Sequence, residues 1–385
     1  MKFVDEFRHP EKAKALIAHI HALKDNIPFI NDQPLQFMEF CGGHTHTIFR
    51  YGIEPLLPDW IELLHGPGCP VCILPMGRID ECITLAEQPN IIFATFGDAM
   101  RVPGTSKNLL QARADGADIR MTYSPLDALE LARQNPDREV VFFALGFETT
   151  MPSTALTVLQ ADAEGIDNFS LFCQHITTPG TLQTLLDLPD MNIDGFLAPG
   201  HVSMVIGEQP FNFVANKYKK PLVITGFEPV DILQSIYQLT KQFAEQRCEV
   251  ENQYSRVVQK TGNKTALSAI SEVFETLDFV ELRGLGLLQQ SGIKMQSTYA
   301  QFDAEKKFSV PHLNITDPSQ CQCGDVLKGL IKPWQCKAFG QTCTPENPLG
   351  ALMVSSEGSC AAYYSFSDVA KLVAKRQRTS LGHTV

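Results

Sequence analysis

"EVVFFAL" (residues 139–145) runs directly into "GFETT" (146–150). The first stretch is apolar, strand-length and far too short to span a bilayer. The second turns with a glycine and leads into a helical stretch. The same construction recurs along the chain. Strands are expected at "LQFMEF" (35–40), "WIELL" (60–64), "NIIFATF" (90–96), "DIRMTY" (118–123), "FSLFC" (169–173), "DGFLA" (194–198) and "PLVIT" (221–225). Helix-like segments fall near 76–88, 105–116, 125–134, 152–164, 180–188 and 229–245, and residues 10–25 read as an amphipathic helix. Strand–helix alternation of this kind predicts an α/β fold, with mostly parallel sheets covered by helices on both faces. A chain of 385 residues is too long for one core, and the strands fit two α/β domains better than one.

The segments just past the strands are chemically loaded. "LQFMEF" leads to "CGGHTH", "WIELL" to "HGPGCPVC", "NIIFATF" to "GDAMRVPG", "FSLFC" to "QHITTPG", "DGFLA" to "PGHVS" and "PLVIT" to "GFEP". Ligands of open parallel sheets bind beyond the carboxyl ends of the strands, and here those ends carry Gly, His, Cys and Glu. "GFE" occurs at 146–148 and again at 226–228, a weak internal repeat. Its glutamates, Glu148 and Glu228, read more as acceptors of backbone hydrogen bonds than as acid/base groups. Phosphate-loop signatures are absent, so a nucleotide site has no support.

The net charge is −11 (32 basic minus 43 acidic residues). It argues against a nucleic-acid or anionic-membrane surface. Only "AKLVAKRQRTSLGHTV" (370–385) is locally basic, and it reads as a solvated helix end with a frayed tail. The N-terminus has no apolar signal segment, which predicts a cytoplasmic protein. Eleven cysteines in a reducing compartment point to metal or redox chemistry rather than structural disulfides.

Three groups of cysteines stand out. Cys41 closes a strand and is followed by two glycines, His44 and His46, a pattern suited to iron or zinc binding or to a nucleophile–base pair. Cys69 and Cys72 form a C-x-x-C in a Gly-Pro loop ahead of a helix expected near Pro75, where the helix dipole lowers a thiol pKa. That suits disulfide exchange or metal binding. The loop-rich block 321–360 holds Cys321, Cys323, Cys336, Cys343 and Cys360. It lacks the paired spacing of a zinc ribbon and the close run of a ferredoxin. Four spaced thiolates suit an iron–sulfur cluster, although structural zinc accepts the same ligands. Cys323, Cys336, Cys343 and Cys360 are the favoured set, with Cys321 to spare. Cys82, Cys173 and Cys248 read as structural, while His175 and His201 sit at strand ends where they line a cleft or stabilise a turn.

"CGGHTHTIFRYG", "GPGCPVCILP", "FGDAMRVPG", "GFETTMP", "APGHVSMVIG", "GFEP" and "CTPENPLGALMVSSEGSCAAYY" resemble, in order, the signature blocks of the HypD family of hydrogenase maturation factors. The resemblance spans most of the chain. It implies two doubly wound parallel-sheet domains of similar topology and a small loop-rich domain, built from both chain ends, that carries a [4Fe-4S] cluster. The expected division is 1–33 for an N-terminal helix packing with the C-terminal domain, 34–135 and 136–245 for the α/β domains, and 246–385 for the cluster domain.

The implied role is assembly of the Fe(CN)2CO unit of [NiFe]-hydrogenases, whose destination is the hydrogenase large subunit. It is carried out with a HypC-type chaperone and a HypE-type cyanide donor. Position by position, Cys41 becomes the thiolate holding Fe(II) with its cyanide and CO ligands, Cys69 and Cys72 the redox-active or iron-proximal pair, and His44 their polar neighbour. Cys323, Cys336, Cys343 and Cys360 become the cluster ligands, because the family pattern places its first ligand directly before Gly. Such a protein is a redox assembly scaffold more than a multiple-turnover enzyme. The competing expectations are a free-standing iron–sulfur thiol/disulfide oxidoreductase and a zinc-stabilised binding protein.

Overall fold

The computed structural model describes residues 5–28, 33–189, 191–315 and 318–382. Nine strands build two parallel sheets: β1 Leu35–Glu39, β2 Ile61–His65, β3 Ile91–Thr95, β4 Ile119–Met121, β5 Glu139–Gly146, β6 Phe169–His175, β7 Gly195–Pro199, β8 Leu222–Thr225 and β9 Val250–Asn252. One sheet has the order β2-β1-β7-β8-β9 and the other β4-β3-β5-β6, and every pairing within them is parallel. The α/β class with parallel sheets is therefore as the alternation predicts. The apolar runs follow from burial of both faces. Phe142 and Phe143 are adjacent in β5 and fully buried, yet they enter hydrophobic clusters on opposite sides of the sheet. Each such phenylalanine contributes roughly 1.5–3 kcal/mol by leaving water.

The sheets cut across the linear division expected for the chain. The 135/136 boundary falls inside the four-stranded sheet, between β4 and β5, and β7, β8 and β9 return to β1 and β2. Pairing of short neighbouring strands does not require sequence adjacency once helical crossovers are long enough to reach back. The N-terminal helix α1, Pro10–Ala22, also departs from expectation. It lies on the helix Pro229–Ala244 of the five-stranded sheet, where the expectation had the C-terminal domain. Ile20 is fully buried there with Ile232, Leu233, Ile236 and Leu239, whose apolar stripe would otherwise face water. Within residues 1–33, positions 1–4 and 29–32 lie outside the described residues, as do 383–385 of the basic tail. Lys371, Lys375 and Arg378 of the preceding helix are exposed, as expected.

After β9 the chain forms two small antiparallel pairings, Phe274–Thr276 with Ile293–Met295 and Phe279–Leu282 with Gly286–Gln289. Residues 321–366 follow as turns and short helices, of which Cys323–Leu327 and Ser359–Phe366 are the α-helical pieces. The second packs on α2, Gly42–Arg50. Arg101 in the loop after β3 donates to the carbonyl of Pro345 at 2.8 Å. The carboxyl ends of strands from both sheets thus meet the cysteine-rich block.

Candidate functional site

In the five-stranded sheet, β1 lies between β2 and β7, so the strand order reverses there. A crevice opens beyond the carboxyl end at such a switch point. Cys41 occupies it, two residues past β1, with an extended backbone (φ −148°, ψ 119°) that caps α2. The sequence reading had no helix at 42–50, because Gly-Gly and two Thr are poor helix formers. Tertiary contact explains the glycines. A Cβ at Gly42 would run into Glu357, and one at Gly43 would lie 3.0 Å from the Phe227 ring.

Beneath Cys41 sits Glu39, a charged residue at the end of an apolar strand and fully buried. Its carboxylate accepts the Cys41 backbone N–H at 2.8 Å and the Thr45 hydroxyl, and lies 2.7 Å from His65 Nδ1. The parallel register places Glu39 opposite His65, which makes the contact a consequence of the β1–β2 ladder. The Cys41 sulfur lies 3.7 Å from His201 Nδ1. Burial pushes the Cys41 thiol well above its ordinary pKa, against the opposing help of backbone N–H groups of His44 and Gly43. Burial also pushes His201 down to about 4, aided by the nearby His44 imidazole, so His201 is a neutral acceptor at pH 7. His44 donates through Nε2 to the Thr225 carbonyl at 3.1 Å. Both imidazoles rest against Phe227, each with ring centroids 5.0 Å away. The second "GFE" therefore serves through its phenylalanine.

The loop after β2 folds over Cys41. The Gly42 N–H donates to the Gly68 carbonyl at 3.1 Å, and a Cβ at Gly68 would collide with the Cys41 backbone. Cys69 and Cys72 come next in the same loop and are 4% and 1% exposed. The Cys72 N–H donates to the Cys69 carbonyl at 3.1 Å. The thiol pKa expected to be lowered here is instead raised at Cys72, first by burial and then by the Cys69 thiol. The turn Val71–Ile73 is a separate 3-10 piece and the next helix, α3 Met76–Ala86, starts only after it, so desolvation outweighs the dipole. Cys323 and Glu357 lie close enough to raise the Cys72 thiol further, and a Cβ at Gly358 would sit 3.1 Å from the Cys72 sulfur. The dithiol thus lies between Cys41 and the C-terminal cysteines.

Cys321, Cys323, Cys336, Cys343 and Cys360 line one enclosed pocket with Val326, Phe339, Leu349 and Met353. No imidazole or carboxylate lines it. Cys321 donates to the Cys323 sulfur at 3.0 Å, and a Cβ at Gly350 would strike both sulfurs. The Leu349 N–H donates to the Cys343 sulfur at 3.4 Å. Such a soft, thiol-rich lining could hold an iron–sulfur group. Among the described residues, no group of three or more His, Cys, Asp or Glu is arranged to hold a single metal ion.

A family model described as HypD, "Hydrogenase formation hypA family", matches residues 11–367. The chain belongs to the HypD family. The hydrogenase maturation factor HypD of Rhodobacter capsulatus is 56% identical over 370 residues, covering 95% of this chain and 98% of that protein. HypD of Escherichia coli K12 is 53% identical over 366 residues, with 95% and 98% covered. The protein named HupD, a hydrogenase expression/formation protein of Azotobacter chroococcum, is 48% identical over 372 residues, with 95% and 97% covered. The resemblance read from the signature blocks thus holds for nearly the whole chain.

Within this HypD-family chain, Cys41, His44, Cys69 and Cys72 gather at one switch point, and the four favoured C-terminal cysteines gather in one pocket. Glu39, Glu357 and His65 were not singled out from sequence. For Glu39 the signal was present: an acid inside an apolar strand is costly unless paired. Glu357 had none, since its approach to Gly42 is purely tertiary. Glu148 accepts the backbone and hydroxyl of Thr178 at 2.8 and 2.7 Å, and Glu228 pairs with Arg8, the structural roles the sequence favoured. Among the described residues, no helix is long and apolar enough to cross a membrane.

Proposed function

We propose that this chain is the cytoplasmic, redox-active scaffold on which the Fe(CN)2CO unit of [NiFe]-hydrogenases is assembled, together with a HypC-type chaperone and a HypE-type cyanide donor. The observation that carries the reading is the Cys41–His201 pair at the switch point, with the Cys69–Cys72 dithiol beside it. Iron bearing cyanide and CO is the substrate, and a soft thiolate in a water-poor crevice suits it. Cys41 is a protonated thiol in the free protein. Binding iron requires its proton to leave, and neutral His201 Nδ1, 3.7 Å away, is positioned to take it. Glu39 holds the Cys41 backbone in place, and Glu357 adds a carboxylate at the same crevice. Oxidation of Cys69 and Cys72 to a disulfide would release two electrons and two protons next to the iron.

The thiol-rich pocket supports a [4Fe-4S] cluster held by Cys323, Cys336, Cys343 and Cys360. When bound, that cluster supplies one-electron transfer. Burial of Cys69 and Cys72 favours the scaffold over a free-standing disulfide reductase, whose attacking thiol must reach a protein substrate.

The test is Cys41→Ala in the full chain, co-purified without oxygen with the HypC-type chaperone. The wild-type complex is expected to show Fe–CN and Fe–CO infrared bands, and the variant to lack them. Normal bands from the variant would sink the assignment of Cys41.

A further inference from the structure

The hairpin "FVELRGLGLLQ" (279–289) drives its turn between the two thiol groups. Arg283 is 3% exposed. Its backbone N–H donates to the carbonyl of Ile73 at 2.8 Å, one residue past Cys72. Gly284 comes next at φ +75°, a left-handed conformation that a side chain would strain. A Cβ there would also lie 2.7 Å from Gly324 Cα, one residue past Cys323. The turn is thus wedged against the C-x-x-C loop on one side and the first cluster-type cysteine on the other. Arg283 lines a groove together with Cys321, Gly324, Glu281 and Asp325, and its positive charge acts on Cys323.

We propose that Arg283 is a positioning residue for redox chemistry: its guanidinium offsets the negative charge that accumulates at the thiolate-ligated cluster on reduction, and so raises the cluster's reduction potential. The inference rests on the [4Fe-4S] reading of the cysteine pocket. A cluster with four thiolate ligands is already anionic and gains one further negative charge with each electron. In a buried site that charge is costly unless a cation stands near. Net charge and burial are the levers by which a protein sets such a potential. Burying a guanidinium is itself expensive, and here its charge acts on the Cys323 sulfur at the edge of the cysteine pocket. The anchoring bond to Ile73 is made by backbone, so a side-chain substitution removes the charge and spares the anchor.

The experiment uses the full chain purified without oxygen, as wild type, Arg283→Met and Arg283→Lys. Iron and acid-labile sulfide are counted, and the midpoint potential is read by redox titration followed by electron paramagnetic resonance. The expected result is an intact cluster in all three, a more negative potential in Arg283→Met, and a potential close to wild type in Arg283→Lys. An intact cluster with unchanged potential in Arg283→Met overturns the proposal, as do equal shifts in both variants. If Arg283→Met fails to assemble the cluster while Arg283→Lys assembles it at near wild-type potential, the requirement for charge stands. Failure of both variants to assemble it overturns the role given to charge. A wild-type chain without an iron–sulfur signal overturns the cluster reading itself, and this inference with it.

Discussion

Glu148 shows what burial does to a single residue in this fold. Desolvation raises its carboxyl to about 7, against the lowering effect of the Thr178 hydroxyl and backbone. The folded chain therefore keeps a proton that the unfolded chain, with an ordinary carboxyl, has lost. By linkage, stability falls as pH rises from about 4.5 through about 7 and then levels off, a loss of roughly 1–3 kcal/mol. Glu148→Gln keeps an acceptor for the Thr178 N–H and cannot ionise. It should flatten that part of the curve and be the more stable protein at pH 8, as measured by denaturant unfolding across pH. A second residue-scale prediction concerns His201. With the acceptor removed in His201→Gln, iron loading at pH 7 should drop severalfold and recover toward pH 9, where solvent hydroxide takes the Cys41 proton. A loading curve that does not move with pH would show that His201 is only a wall of the crevice.

At the scale of elements, the eight strands from β1 to β8 were legible, because most of them are buried on both faces and are written as apolar runs. Helix α2 was not. Its first residues are Gly42 and Gly43, chosen for Glu357 and Phe227 rather than for helix formation. Strand β9 was hidden in a polar stretch because a three-residue edge strand needs only backbone to pair. The short helices Gly200–Ile206 and Asn212–Asn216 were missed as well; neither reaches two and a half turns, which is too short for a periodic signal. Elements also fix the site's tolerance. The Gly68→Ala variant forces a methyl group into the Cys41 backbone, and separating the two loops should cost about 1–3 kcal/mol. Denaturant unfolding of this variant should show that loss, together with weaker iron binding. Wild-type stability and binding would mean that the loops are not locked to each other.

For the molecule as a whole, the cysteine-rich block was legible as one unit and the family as a likeness of motifs, but the arrangement of the sheets was not. Which strand returns to which edge is decided by crossovers that leave no local trace, so β7 and β8 were read with their sequence neighbours and in fact β7 flanks β1 with β8 beyond it. That return brings His201 and Phe227 to Cys41 from over 150 residues away. The same economy joins the dithiol loop, the Arg283 turn and the C-terminal pocket into one continuous interior. Because the pocket is bounded by turns rather than by long elements, its order should depend on the metal. Removing the iron with a chelator should expose residues 321–360 to protease while the two sheets stay protected; simultaneous digestion of the sheets would contradict that division. The central claim, a cluster in the cysteine pocket and a separate iron at Cys41, is tested most directly by Mössbauer spectroscopy of the iron-57-labelled full chain, co-purified without oxygen with its small chaperone. The account predicts two components, one from a [4Fe-4S] cluster and one from a low-spin iron that is lost in Cys41→Ala. A single cluster component, unchanged by that substitution, would contradict it.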